Sequence, residues 1–81
     1  MAVTQADIFN IIEKNIRAVL PDLESVAIDP QQTLTELGAN SVDSADIKLQ
    51  TMQHLGVSAQ LHELTSNNIR DLIDFIESRL N

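Results

Sequence analysis

The chain turns from loop to helix at Leu37-Gly38-Ala39-Asn40-Ser41-Val42-Asp43. Asn40 is a good N-cap, because its side-chain oxygen can accept from the exposed backbone N–H groups of a helix start. Asp43 then falls in the first turn, where the helix dipole favours negative charge. The stretch therefore predicts a helix that begins at Asn40 or Ser41, with the Ser41 hydroxyl accessible at its front end.

The segment before this boundary contains a first helix and a long loop. Thr4 and Asp7 resemble a capping box, and Pro21 ends the helix because the residue before a proline is pushed out of helical geometry. The predicted helix runs from about Thr4 to Leu20 and carries an apolar stripe at three- and four-residue spacing: Ile8, Ile12, Ile16, Val19 and Leu20, with Ile11 at its edge.

Residues 21–40 form the predicted loop. Val26 and Ile28 alternate like a strand, but no other segment offers a strand to pair with them. Residues 33–38 are expected to hold a short helical turn, in which Leu34 and Leu37 pin the loop to the core.

The segment after the boundary contains two more elements. The second helix ends near Leu55, because Gly56 suits a helix end. A brief turn is expected over Ser58 to Leu64, with Leu61 and Leu64 facing inward. The last helix is predicted from Ser66 or Asn67 to Leu80, and its apolar stripe consists of Ile69, Leu72, Ile73, Ile76 and Leu80.

These elements predict an all-α protein, a single domain over residues 1–81. We expect a small antiparallel four-helix bundle, made of three main helices and a short one, with a long first loop.

The second helix has two apolar edges, separated by Ser44 and Lys48. One edge contains Val42, Ala45, Leu49 and Met52, and the other contains Ile47, Thr51 and Leu55. Such a helix can bury one edge and offer the other to a partner. The alternative, that neighbouring helices cover both edges, is equally compatible with the pattern.

Composition narrows the classes of function. Twelve acidic residues against five basic ones give a formal charge of −7, which disfavours nucleic acid and anionic membranes as partners and also keeps a small domain soluble. There is no cysteine, so a thioester chemistry would need a sulfur from an added group. No signal peptide or apolar run of about 20 residues is present, and a cytoplasmic monomer is expected.

The residues around Ser41 are compatible with three roles for this serine. As a nucleophile it would need a base, but His54 lies about 20 Å further along a continuous helix. His62 stays open as a base, although the serine lacks the following glycine and preceding strand of a hydrolase elbow. As a plain helix-start residue, Ser41 would only help capping. As a modification site, its phosphodiester would be stabilised by the helix N-terminus.

The order of residues around Ser41 resembles the acyl carrier protein family. The resemblance covers most of the chain and includes the two amphipathic helices, the loop with Pro30, and Leu34-x-x-Leu37-Gly38-x-Asn40-Ser41-Val42. The usual signature is Gly-x-Asp-Ser-Leu, so Asn40 and Val42 depart from it. The stretch from Gly38 to Asp43 looks like the free-standing carriers of polyketide β-branching cassettes, which resemble acetyl donors to a hydroxymethylglutaryl (HMG)-synthase-like enzyme.

This resemblance implies that Ser41 receives 4′-phosphopantetheine from coenzyme A through a phosphopantetheinyl transferase. It implies a carrier with no catalysis and no metal, which serves ketosynthase, acyltransferase or HMG-synthase-like enzymes. The residues implied in partner recognition are Asn40, Val42, Asp43, Ala45, Asp46 and Leu49, while Ile47, Thr51 and Leu55 would face the core.

Two alternatives remain at this point. One is a carrier of fatty-acid or other secondary-metabolite synthesis, and the other is an unmodified helical adaptor that binds a partner through the second helix.

Overall fold

A computed structural model describes residues 3–80 of the chain. It contains three α-helices: α1 spans Gln5–Val19, α2 spans Ser41–Leu55 and α3 spans Ile69–Leu80. Two short 3₁₀ turns, Pro21–Leu23 and Leu61–Glu63, lie in the connections. The predicted all-α bundle of three main helices and a short one is confirmed.

Helix α1 starts where its sequence predicts. Thr4 is the N-cap, and it exchanges hydrogen bonds with Asp7 in both directions, at 3.1 Å to Thr4 Oγ1 and 3.0 Å to Asp7 Oδ2. Ile8, Ile12 and Ile16 are essentially inaccessible to solvent, so the predicted stripe is the face that α1 buries.

The core is almost entirely aliphatic, because the chain has only two aromatic residues and both are half-buried. Residues from all three helices and the long loop contribute to it. Its buried apolar members are Ile8, Ile12, Ile16, Ile28, Leu34, Ala39, Ile47, Met52, Leu64, Ile69, Leu72, Ile73 and Ile76.

The long loop is anchored by Leu34, which is fully buried, and by a short hydrogen-bonded turn over residues 33–38. Leu37 is half-buried and packs against the core, as predicted. An isolated antiparallel β-bridge joins Thr33 to Asn68, next to the start of α3. The Val26–Ile28 segment forms no strand, and only Ile28 of that pair is buried.

Helix α3 starts at Ile69, two to three residues later than the prediction of Ser66 or Asn67. The loop explains the difference. The N–H of Ile69 donates to Gln32 O at 3.1 Å, and the N–H of Arg70 donates to Pro30 O at 3.0 Å. The carbonyl of Asn67 accepts from Leu34 N at 2.8 Å, so the preceding residues pair with the loop and cannot continue the helix.

One side chain in the second half of the chain lies on the opposite side from its prediction. Leu61 was expected to face inward but is 37 % exposed, whereas its neighbour Leu64 is 3 % exposed as expected. Leu64 is the C-cap of the 3₁₀ turn Leu61–Glu63 and has left the helical geometry, with φ −96° and ψ 65°. Met52, which shares an apolar edge with Val42 and Leu49 in helical projection, is 4 % exposed and belongs to the core.

Candidate functional site

Ser41 is the first residue of α2, and it is exposed. The chain reaches it through a tight turn in which Ala39 N donates to Leu34 O at 3.0 Å. Gly38 has a φ of +101°, a conformation that side-chain-bearing residues rarely adopt. The turn buries Ala39 beneath the loop and leaves Ser41 on the outside of the bundle.

A capping box holds the start of α2. Asn40 Oδ1 accepts from the N–H of Asp43 at 2.8 Å, and Asp43 Oδ2 accepts from the N–H of Asn40 at 3.3 Å. The first-turn N–H groups of Ser41 and Val42 have no acceptor within the helix. Together with the positive end of the helix dipole, they make the surroundings of the Ser41 hydroxyl favourable for a phosphate ester.

A groove runs beside Ser41, between α2 and the segment that leads to α3. Its volume is about 360 Å³, and it is open to solvent. We call it the Ser41 groove; it is lined by Ser41, Ser44, Ala45, Lys48, Leu61, Leu64, Thr65 and Asn67.

Ser44 is a polar residue of this groove that sequence reasoning did not single out as functional. It is 4 % exposed, and its hydroxyl has no hydrogen-bond partner among residues 3–80. A buried hydroxyl without a partner is costly unless a ligand or water satisfies it. The signal was present, since Ser44 follows Ser41 by three residues and therefore shares its side of the helix.

Lys48 was also missed, and it lies one turn beyond Ser44. It is 8 % exposed, and its Nζ donates to Leu64 O at 2.8 Å. Burial lowers the pKa of the Lys48 ammonium from its ordinary value of 10.5. The hydrogen bond ties α2 to the segment on the far side of the groove.

The residues implied in partner recognition lie around the outer face of α2. Val42 is 67 % exposed and Leu49 is 40 % exposed. Asn40 and Asp46 are exposed, and Asp43 and Ala45 are half-buried. We call Val42, Asp46 and Leu49 the outer strip of α2. By contrast, Ile47 and Thr51 are fully buried and Leu55 is half-buried, as expected for the core side.

The outer strip is acidic because the one lysine of α2 is turned inward. Asp43 and Asp46 are the only acidic residues of α2, and Lys48 is its only lysine or arginine. With Lys48 buried against Leu64, the charge that α2 presents to solvent is negative. A basic partner surface would complement it.

A catalytic serine needs a base within hydrogen-bond reach, and the structure of residues 3–80 shows none bonded to Ser41. No hydrogen bond joins Ser41 to a histidine, and the His54 ring instead approaches the side-chain amide of Asn15 at 3.4 Å.

Over residues 3–80, no cluster of three or more histidine and acidic side chains could hold a metal ion. No helix in this part of the chain is both long and apolar enough to cross a bilayer.

The residues at Ser41 fit a phosphodiester-linked arm. The hydroxyl is exposed, free N–H groups flank it, and the adjoining groove contains a buried hydroxyl that lacks a partner. A group that brings amides into the groove could satisfy Ser44 Oγ, while Thr65 and Asn67 offer further polar atoms along the same wall.

Comparisons with known proteins agree with this geometry. Residues 10–76 match the family model described as a phosphopantetheine attachment site. The chain is 34 % identical over 74 residues to the polyketide biosynthesis acyl-carrier-protein AcpK of Bacillus subtilis (strain 168), covering 90 % of each chain.

A solved structure is also similar. It is the crystal structure of the curacin biosynthetic pathway HMG synthase in complex with an acetyl donor carrier protein. The match has a TM-score of 0.86 and 30 % identity, and covers 93 % of this chain and 97 % of the other. Because the two matched chains are nearly equal in length, the similar component is the small carrier and not the synthase.

Proposed function

The chain belongs to the phosphopantetheine-binding acyl carrier proteins of polyketide biosynthesis, and we propose that Ser41 is the residue that bears its covalent 4′-phosphopantetheine. The single observation that supports Ser41 most directly is its exposed place at the first turn of α2, beside the groove with the partnerless Ser44 hydroxyl. When bound, the group supplies a thiol that carries acyl groups as thioesters. The chain has no cysteine that could do so itself.

In this proposal the chain's own residues hold and present the arm and do not catalyse acyl transfer. The N–H groups of the first turn stabilise the phosphate, and Asn40 and Asp43 keep that turn formed. No histidine is hydrogen-bonded to Ser41 within the described residues. We expect a separate phosphopantetheinyl transferase to attach the arm.

Intact mass spectrometry tests the attachment. We expect incubation with coenzyme A and a broad-specificity phosphopantetheinyl transferase to add one phosphopantetheine mass to the chain, and none to Ser41→Ala. Ser58→Ala is the matched control, because Ser58 is also exposed but lies after α2. Loss of the adduct in the control, or an adduct on Ser41→Ala, contradicts the proposal.

We further propose that the carried group is acetyl and that the acceptor is an HMG-synthase-like enzyme of β-branching. The support is the similarity to the acetyl donor carrier described above, together with the acidic outer strip of α2. In the test, acetyl-loaded protein is mixed with such a synthase, and loss of the acetyl mass is followed over time. Retention of acetyl, with transfer instead to a fatty-acid ketosynthase, favours the fatty-acid alternative.

The outer strip is the surface that we propose the synthase contacts. Val42→Ser should slow acetyl transfer about tenfold, because it removes apolar area that the contact would bury. Val26→Ser is the matched control, since Val26 is 43 % exposed in the long loop, away from α2. Equal effects of the two changes would exclude the outer strip as the contact.

Asp46 tests the electrostatic part of the same contact. Asp46→Asn should lower the association rate and flatten its dependence on salt, without changing the fold. Asp22→Asn, an equally exposed change in the 3₁₀ turn Pro21–Leu23, provides the control. Asp43 is unsuited to this test because it also caps α2.

A further inference from the structure

Two spaces meet at Lys48. One is the Ser41 groove, and the other is a narrow void inside the bundle, lined by Ile12, Ile47, Lys48, Thr51, Leu64, Leu72 and Ile76. The void is nowhere wide enough for a water molecule. Lys48 and Leu64 line both spaces, so they form the boundary between the outside groove and the aliphatic interior.

This boundary is closed by a direct link across it. Lys48 Nζ donates to Leu64 O at 2.8 Å, and the Leu64 side chain is 3 % exposed. The lysine stem therefore spans the gap between α2 and the segment before α3. A lysine is a poor residue to bury, and its one buried hydrogen bond is the compensation for its lost hydration.

An alkyl chain that moved from the groove into the void would have to break this link. A hydrogen bond to a charged donor is stronger than a neutral one, and breaking it here requires the nearly buried ammonium group to find another partner. The intruding chain would also have to push apart packed side chains such as Ile47 and Leu72, which are 0 % and 3 % exposed. The groove itself offers polar atoms from Ser44, Thr65 and Asn67, which suit amides better than alkyl groups.

We propose that Lys48 is a specificity-determining residue, a closed gate that keeps the acyl group carried on Ser41 out of the bundle interior and in the Ser41 groove. This inference rests on the proposed attachment of the arm at Ser41. Its consequence is a preference for short acyl groups that remain accessible to a partner enzyme. A long alkyl chain is not bound in the bundle interior and stays exposed to solvent.

Nuclear magnetic resonance of isoleucine methyl groups tests the gate without measuring acyl transfer. Ile12, Ile47 and Ile76 line the void, and Ile8 is a buried reference that does not. We expect the void-lining methyl resonances and Tm to be the same whether the arm is unloaded, acetylated or octanoylated. In Lys48→Met, octanoyl loading should shift these resonances and raise Tm by a few degrees, while acetyl loading should not.

Lys14→Met is the matched control, because Lys14 is an exposed lysine of α1, and it should behave as the unchanged chain does. Lys48→Leu provides a second variant that also removes the hydrogen bond, in case Lys48→Met does not fold. Shifts of the void-lining methyls in the octanoylated unchanged chain would overturn the gate. The gate would also be overturned if octanoyl loading shifted no void-lining methyl resonance in Lys48→Met and Lys48→Leu, both folded.

Intact mass spectrometry distinguishes a failure of the gate from a failure of the proposed attachment at Ser41. A chain that carries no phosphopantetheine on Ser41 contradicts the attachment, and the gate falls with it. A chain that carries the loaded arm and shows shifted interior methyls contradicts the gate alone.

Discussion

Asn15 of α1 donates its side-chain amide to Thr51 Oγ1 of α2 at 3.0 Å, and both residues are almost completely buried. Thr51 Oγ1 in turn donates to Ile47 O at 2.7 Å, so the two helices share a short polar chain inside an aliphatic core. Dispersion and apolar burial have no preferred direction, whereas this pair can form in only one relative position of α1 and α2. It therefore helps to set the position of the helix that carries Ser41.

Asn15→Ala should lower the free energy of unfolding by about 1–3 kcal/mol, because it removes the buried donor of this chain and leaves a small cavity. Urea denaturation followed by helical circular dichroism measures the change, since the protein has no tryptophan or tyrosine. Asn10→Ala, an exposed change on the same helix, should stay within about 0.5 kcal/mol. A loss no larger at Asn15 than at Asn10 would show that the hydrogen bond contributes nothing.

Asn40→Ala should destabilise the protein by about 0.5–2 kcal/mol, because α2 loses its N-cap. Asn40→Asp keeps an acceptor oxygen in the same place and should be close to neutral. Thermal unfolding compares the two variants. If both lose the same stability, the amide of Asn40 has a role other than capping.

Gly38→Ala should cost about 1–2 kcal/mol for backbone reasons alone. The φ of Gly38 is +101°, yet an added Cβ would meet no atom within 4 Å, so crowding makes no contribution. The control is Glu24→Ala, an exposed change at an ordinary φ of −54° in the same long loop. The urea midpoint of Gly38→Ala should be lower than that of Glu24→Ala. Equal midpoints would mean that the loop relaxes around residue 38.

Lys48 makes stability depend on pH in the alkaline range. Its folded pKa is lowered by burial, so the unfolded chain binds more protons as the pH approaches the ordinary value of 10.5. Stability relative to Lys48→Met should therefore rise as the pH increases through the lowered pKa, and level off above 10.5. Urea denaturation at a series of pH values measures it, and a flat or falling difference would contradict the burial of the ammonium group.

Apolar periodicity predicted the helices well where the chain is strongly amphipathic. The isoleucines of α1 and the stripe of α3 lie in the core as expected, and the capping residues Thr4 and Asn40 start their helices. The start of α3 was placed too early because the N–H of Leu34 takes the carbonyl of Asn67, which an earlier helix start would have used within the helix. Such a long-range competitor has no signature in the local sequence.

The polar residues of the site were the hardest to place. None of the apolar stripes in the sequence includes Asn15, Ser44 or Lys48, yet each is less than a tenth exposed. The partners of Asn15 and Lys48, the Thr51 hydroxyl and the Leu64 carbonyl, lie 36 and 16 residues away along the chain. Ser41 itself was identified from its neighbours and its helix-start position, which are local properties.

The backbone amides that open α3 donate to carbonyls that precede Ser41 in the chain, and this has a consequence for how the protein unfolds. The start of α3 depends on the loop, because the first two N–H groups of the helix donate to loop carbonyls. Loosening of the loop therefore frays α3 from its front end, so an isotope-exchange signal from Ile69 and Arg70 reports on order in residues 30–34. Exchange at those two amides therefore measures how well the segment that leads to Ser41 is ordered.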